Sequence, residues 1–171
     1  MIEPIDRSFT QIVEYANSAH ELLNRELFDG KLSTPFIDFQ NISYEIEPIY
    51  GVFIKDTSKY YGTFLAKEPC AILLSLELWD EVDSSKSLEE QNARIISTLL
   101  HEMIHQFCHE NNIVDAKDGL HTENFLEVAE THGLMCFSKQ EENGINYSIT
   151  YLDPDWEDVW NELCADFDKC V

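Results

Sequence analysis

The pentapeptide His101-Glu102-Met103-Ile104-His105 sets two histidines four residues apart, with a glutamate directly after the first. On an α-helix, positions i and i+4 lie one turn apart on the same face, so both imidazoles can offer a nitrogen to one metal ion. Glu102 then stands beside that ion, placed to take a proton from a water in the open coordination position. This is the arrangement of a zinc hydrolase, with His101 and His105 as ligands, Zn2+ as the cofactor and Glu102 as the catalytic base. Two histidines that only decorated a core helix would leave unexplained why five of the six in the chain fall between residues 101 and 132.

A catalytic zinc takes three protein ligands and leaves the fourth position to water. His109 lies a further turn along, but a straight helix carries it about 12 Å from His101 in axial rise. Gln106, Phe107 and Cys108 supply no glycine to break the helix, so His109 reads as a surface residue or a neighbour of a ligand. His121 is the stronger candidate, because Asp115-Ala-Lys-Asp-Gly-Leu120 is turn-rich and can return the chain to the motif. Glu123, Glu127 and Glu130 are alternatives on spacing alone, although acids on a helix ordinarily face solvent. His132 reads as a capping or surface residue, with orientation of a ligand as its functional alternative.

These side chains need elements to hold them. Residues 87–113 read as the active-site helix: Ser87 and Glu90 have capping-box spacing, and Ile95, Ile96, Leu99, Leu100, Met103, Ile104 and Phe107 recur at three- and four-residue intervals. A second helix is expected from about Thr122 to His132, with Phe125, Leu126, Val128 and Ala129 as its apolar stripe and Gly133 as its stop. Upstream, residues 8–28 form an amphipathic helix through Phe9, Ile12, Val13, Ala16, Leu22, Leu23 and Leu27, ended by a Gly-Lys turn. Strands are expected at Phe36–Tyr44, Gly51–Lys55 and Tyr60–Ala66, and Ala71–Leu78 is an apolar run that suits a buried or edge strand. The fold class is therefore α+β and zincin-like: an N-terminal helix, a small mostly antiparallel or mixed sheet, the motif helix and a second helix. An extended peptide can add itself to the edge of such a sheet.

With these pieces in place the chain resembles the SprT-like metallopeptidases, which include the Spartan-type proteases that degrade proteins crosslinked to DNA. The matching pieces come in the family's order: Leu27-Phe28-Asp29-Gly30-Lys31-Leu32, a glycine-bearing strand at Tyr61-Gly62, Ile72-Leu73-Leu74-Ser75, then Thr98-Leu99-Leu100-His101-Glu102-Met103-Ile104-His105, His121 and Phe125. The resemblance spans about residues 8–135. It implies zinc bound by His101, His105 and His121, with Glu102 as the catalytic base. The chain departs from the family in two places. It lacks the Cys-x-x-Cys ribbon that many members carry after the protease core, and Thr122 stands where a glycine usually follows the third ligand.

Eleven basic against thirty-three acidic residues give a net charge of −22. Duplex binding draws on Lys and Arg to neutralise phosphate, so no direct nucleic-acid binding is expected, and Lys55, Lys59 and Lys67 are the nearest approach to a basic patch. The expected partner is a protein or peptide substrate. The alternative function is a non-catalytic acidic metal-binding protein that captures a basic partner or mimics DNA. Cysteines at 70, 108, 136, 164 and 170 are odd in number, and no pair has the close spacing of a structural zinc site, which suits reduced thiols. The length suits one domain over residues 1–171, and the start of the chain reads as neither signal nor membrane span, so a cytoplasmic protein is expected. Residues 145–171 form an acidic extension with seven acids between 153 and 168. Asp153-Pro154 suits a helix start, and Trp156, Val159, Trp160, Leu163 and Phe167 share one face. That helix is expected to dock on the core, with a lid or partner-binding helix as the alternative.

Overall fold

The structure is a computed structural model, and it describes residues 8–42, 49–57, 69–80, 88–141 and 144–161. The first helix, α1 (Phe9–Leu27), begins in a capping box: Ser8 Oγ accepts from the Gln11 N–H, and the Gln11 side chain accepts from the Ser8 N–H. It ends where Asp29 and Gly30 turn left-handed, at φ 55° and 67°. There Phe28 N–H and Gly30 N–H both donate to the Asn24 carbonyl, and Lys31 N–H donates to the Phe28 carbonyl, so two carbonyls at the helix terminus find partners.

Three short strands follow: β1 (Phe36–Gln40), β2 (Gly51–Ile54) and β3 (Ala71–Ser75). They form one sheet in the order β1-β3-β2, with β1 parallel and β2 antiparallel to β3. The central position explains why β3 is buried at all five residues and reads as an uninterrupted apolar run. It is shorter than the expected strand over Ala71–Leu78. Ser75 Oγ accepts from the Glu77 N–H, and the chain turns into a short helix α2 (Glu77–Asp80), so a serine cap ends the strand despite the apolar residues beyond it. The expected strand Tyr60–Ala66, with Tyr61 and Gly62, lies outside the described residues. The strand expected at Phe36–Tyr44 is described as far as Ile42 and is extended only to Gln40.

Helix α3 (Leu88–Glu110) is the long central element. Ser87, half of its expected capping box, lies outside the described residues. The helix stops three residues before the expected end, because Asn112 takes a left-handed φ of 56°. Ile113 N–H then donates to Cys108 O and Asn112 N–H to His109 O, the double bond of a Schellman stop with asparagine in the usual glycine position. Ile95, Ile96, Leu99, Leu100, Met103 and Ile104 are all buried, against Ile12, Tyr15, Ala16, Ala19 and Leu23 of α1 and Ile37, Phe39, Ile72 and Leu74 of the sheet.

After α3 come a two-rung hairpin, β4 (Ala116–Lys117) and β5 (Leu120–His121), and helix α4 (Glu123–Thr131). The hairpin turns through Asp118 and Gly119 at φ 55° and 82°, the left-handed pair that Asp-Gly suits. A larger hairpin, β6 (Leu134–Glu141) and β7 (Gly144–Leu152), then packs across α3 and α4. The periodicity of the sequence did not anticipate it, although Asn143-Gly144 ahead of the aromatic and β-branched run at residues 145–151 is a hairpin signal. At residues 153–161 the acidic extension docks as expected. Asp153 caps a 3-10 turn at Pro154–Trp156, the chain continues helical to Asn161, and Trp160 is buried with Trp156 and Val159 packed beside it. Leu163 and Phe167 lie outside the described residues. Among the described residues, no helix is long and apolar enough to cross a membrane.

Candidate metal centre

Helix α3 delivers His101 and His105 one turn apart, and the tight turn at Asp118-Gly119 brings His121 on β5 back to them. Each of the three rings offers a nitrogen such that all three atoms lie within 4.8 Å of one another. His105 Nε2 and His121 Nε2 are 3.0 Å apart. Phe125, fully buried on α4, forms the floor, with its ring centroid 4.9 Å from those of His101 and His105 and 4.2 Å from that of His121. Zinc ligands at bonds of about 2.0–2.1 Å on a tetrahedron stand about 3.3 Å apart, so the donor set fits a small transition-metal ion with little adjustment. Three histidines of this chain are placed so that they could hold a metal ion.

The far sides of two rings are occupied. His105 Nδ1 lies 2.5 Å from Asp115 Oδ2, at the start of the loop that carries His121. A carboxylate accepts, so Nδ1 carries the proton and the Nε2 lone pair is left for a metal, the usual carboxylate–histidine support of a metal ligand. Burial alone would lower the pKa of His105; the hydrogen bond from its ring to Asp115, with the charges of Glu102 and Asp115, outweighs that and raises it. Burial pushes Asp115 the other way, and its bond to His105 holds it below the usual carboxylate range. His101 Nδ1 lies 3.2 Å from Thr150 Oγ1 on β7. Burial, then the neighbouring His105 and His121, keeps His101 well below its ordinary pKa and therefore neutral, the form that binds metal.

Glu102 is 5 % exposed, and burial pushes its pKa up to about 7 against the opposing pull of His105 and of a hydrogen bond from the Phe53 backbone N–H. The bond comes from the sheet edge. Ser75 N–H donates to Tyr50 O, so on β2 the alternate residues Gly51 and Phe53 turn their backbone groups away from β3 and toward α3. Gly51 is there because little else fits: a Cβ at that position would meet Glu102 Oε1 at 2.7 Å, Glu102 Cγ at 2.9 Å and Thr98 Cγ2 at 2.9 Å. The strand therefore shapes the carboxylate's niche with an absent side chain and one amide.

The other candidates fall elsewhere. His109 is exposed at the end of α3, its ring 5.9 Å from that of Phe53. Glu123, Glu127 and Glu130 are exposed on α4. His132 is the C-cap residue of α4, with its ring stacked on Phe28 at 4.5 Å and its Nδ1 donating to Val128 O at 2.6 Å. Lys55 is exposed beyond β2, while Lys59 and Lys67 lie outside the described residues. Sequence reasoning did not single out Asp115, Thr150, Gly51 or Phe53. Only Asp115 left a trace, as the acid that opens the returning turn.

Three half-buried histidines, two on the long helix and one on β5, with a buried glutamate beside them in an α+β fold, form the class of site that could hold a metal ion. The chain belongs to the SprT-like family, whose profile matches residues 16–142. No curated protein and no solved structure matches it.

Proposed function

We propose that this chain is a zinc-dependent metallopeptidase with a zincin-like fold that hydrolyses peptide bonds of protein substrates. His101, His105 and His121 are its ligands and Glu102 is its catalytic base. The observation that carries the reading is the buried Glu102 carboxyl, one residue from a candidate ligand and bonded to the Phe53 backbone N–H of β2. A metal site with a purely structural role has no use for a proton acceptor at that position.

Zinc at such a centre supplies Lewis acidity and a nucleophile at neutral pH. Glu102 accepts the proton of the attacking water and passes it to the leaving amine; a pKa near 7 suits both halves of that task. Asp115 holds His105 in the tautomer that ligates. Among the described residues β2 has a sheet partner on one side only, and addition of an extended peptide to the edge of the sheet is the substrate-binding mode this reading expects.

The test is metal analysis combined with digestion of an unfolded or basic protein. Wild type should carry about one zinc, and Glu102→Gln should keep it while losing at least ~10²-fold in activity, because the base is removed and no ligand is. A variant that cleaves at the wild-type rate rejects the mechanism. If neither protein cleaves, the acidic metal-binding interaction protein becomes the better reading, with the charge of −22 as its support.

A further inference from the structure

We propose that Thr150 is a positioning residue of the metal centre, fixing His101 as the Nδ1-protonated tautomer so that Nε2 presents its lone pair between His105 and His121. The inference rests on the reading of the three histidines as metal ligands, and it extends that centre past the family-matched residues 16–142 into the hairpin.

The argument begins with what each ring needs. An imidazole ligates through a bare nitrogen, so the proton must sit on the other one, and an outer partner decides which. Asp115 does this for His105. Within α3, no hydrogen bond to the His101 ring is described; the partner 3.2 Å from its Nδ1 is Thr150 Oγ1, contributed from forty-nine residues away. A hydroxyl can accept from a protonated Nδ1 or donate to a bare one, and a cation on Nε2 selects the first.

Thr150 is also held firmly enough to act. It pairs with Cys136 across the hairpin, and two rungs further Leu152 pairs with the fully buried Leu134. The ladder then closes on Asp153 N–H to Gly133 O at 2.9 Å, and Trp160 Nε1–H donates to Asp153 O at 2.8 Å. Strand alternation puts Cys136, Thr150 and Leu152 on the inward side, while Phe137 and Tyr151 are exposed at 49 % and 57 %. The hydroxyl is thus carried by a paired strand docked on the core rather than by a loop, the kind of support a ligand-orienting group requires.

The experiment uses the full chain and a zinc competition titration against a chromogenic chelator, with wild type, Thr150→Val and Thr150→Ser. Valine keeps the shape and removes the acceptor; serine keeps the acceptor. Loss of an outer-shell partner typically weakens metal affinity about 10–100-fold, so Thr150→Val should weaken zinc binding by that factor while Thr150→Ser stays within about threefold of wild type. Thermal unfolding of the metal-free proteins should leave the two variants alike, which a packing role for the threonine would not require. Histidine 1H–15N correlations of zinc-loaded wild type give a readout that needs no variant: His101 should show Nδ1–H and a metal-bound Nε2. Wild-type affinity in Thr150→Val, or ligation of His101 through Nδ1, overturns the proposal with the metal centre intact. A wild-type protein that binds no zinc overturns both.

Discussion

Helix α3 carries two buried polar constellations within two turns, and they are satisfied in opposite ways. Around Gln106 the bonding is closed within the protein. His20 Nε2, on α1, donates to Gln106 Oε1 at 3.2 Å, since an amide oxygen can only accept. Gln106 Nε2 donates to Ser33 O at 2.8 Å and to Glu110 Oε1 at 2.9 Å. Glu110 also accepts from the Ser33 N–H and hydroxyl. Buried polar groups matched in this way rigidify a core, and here they tie α1 and the loop before β1 to α3. One position earlier, His105 directs one nitrogen to Asp115 and the other into a cluster of imidazoles. Both constellations contain a buried or half-buried histidine, yet only one turns basic nitrogens toward a common centre, and that difference separates a structural histidine from a candidate ligand.

The comparison breaks first at His121. Removing a ligand should abolish stoichiometric metal binding and with it all peptidase activity, whereas removing the exposed His109 should do neither. Metal content of His121→Ala and His109→Ala after gel filtration decides this, and retention of zinc by the first variant means that the cluster is not the centre.

A smaller effect is expected at Gly51. An alanine methyl cannot share space with the Glu102 carboxylate, which must leave the Phe53 amide. Gly51→Ala should therefore retain zinc while kcat falls about 10²-fold, the usual consequence of displacing a catalytic group by an ångström. Unchanged kcat with full metal content would show that the niche does not set the position of Glu102.

The smallest effect concerns the closed constellation. Burial holds His20 below its ordinary pKa of 6.5, more than its bond to Gln106 and the charges of Glu21 and Glu110 raise it. A depressed histidine is neutral in both states at high pH. As pH falls through about 6.5 the unfolded chain takes up the proton first, so stability is lost below that point. His132 is lowered too and titrates in the same direction, but it remains in both proteins of the comparison. In metal-free protein, urea midpoints measured from pH 7.5 to 5 should fall less steeply for His20→Gln than for wild type. Parallel lines would show that His20 does not titrate with folding.

The sequence by itself determined the local features, because these depend on neighbours in the chain. Spacing of 101 and 105 on an apolar-periodic helix put two imidazoles and Glu102 on α3, and Asp118-Gly119 made the turn that returns His121. Phe9, Ile12, Leu22 and Leu23 marked α1, and Trp156 and Trp160 marked the docked extension, each through its own periodicity. Side-chain capping was less legible: the stretch after Ser75 looked like more strand because apolar residues continue, while a hydroxyl reaching the Glu77 amide ended it.

Only the tertiary structure decided what surrounds the three rings. Asp115 is ten residues from His105 and Thr150 forty-nine from His101, and neither distance follows a helical or strand period. Gly51 could not be distinguished from any other strand glycine until α3 was packed on β2, since the contact that requires it is with Glu102, on a different element far along the chain. Ligand types and their helical spacing are written locally, but the partners that set a tautomer, lift a carboxyl pKa or exclude a methyl group act through space, and they exist only after the sheet, the helices and the hairpin have met.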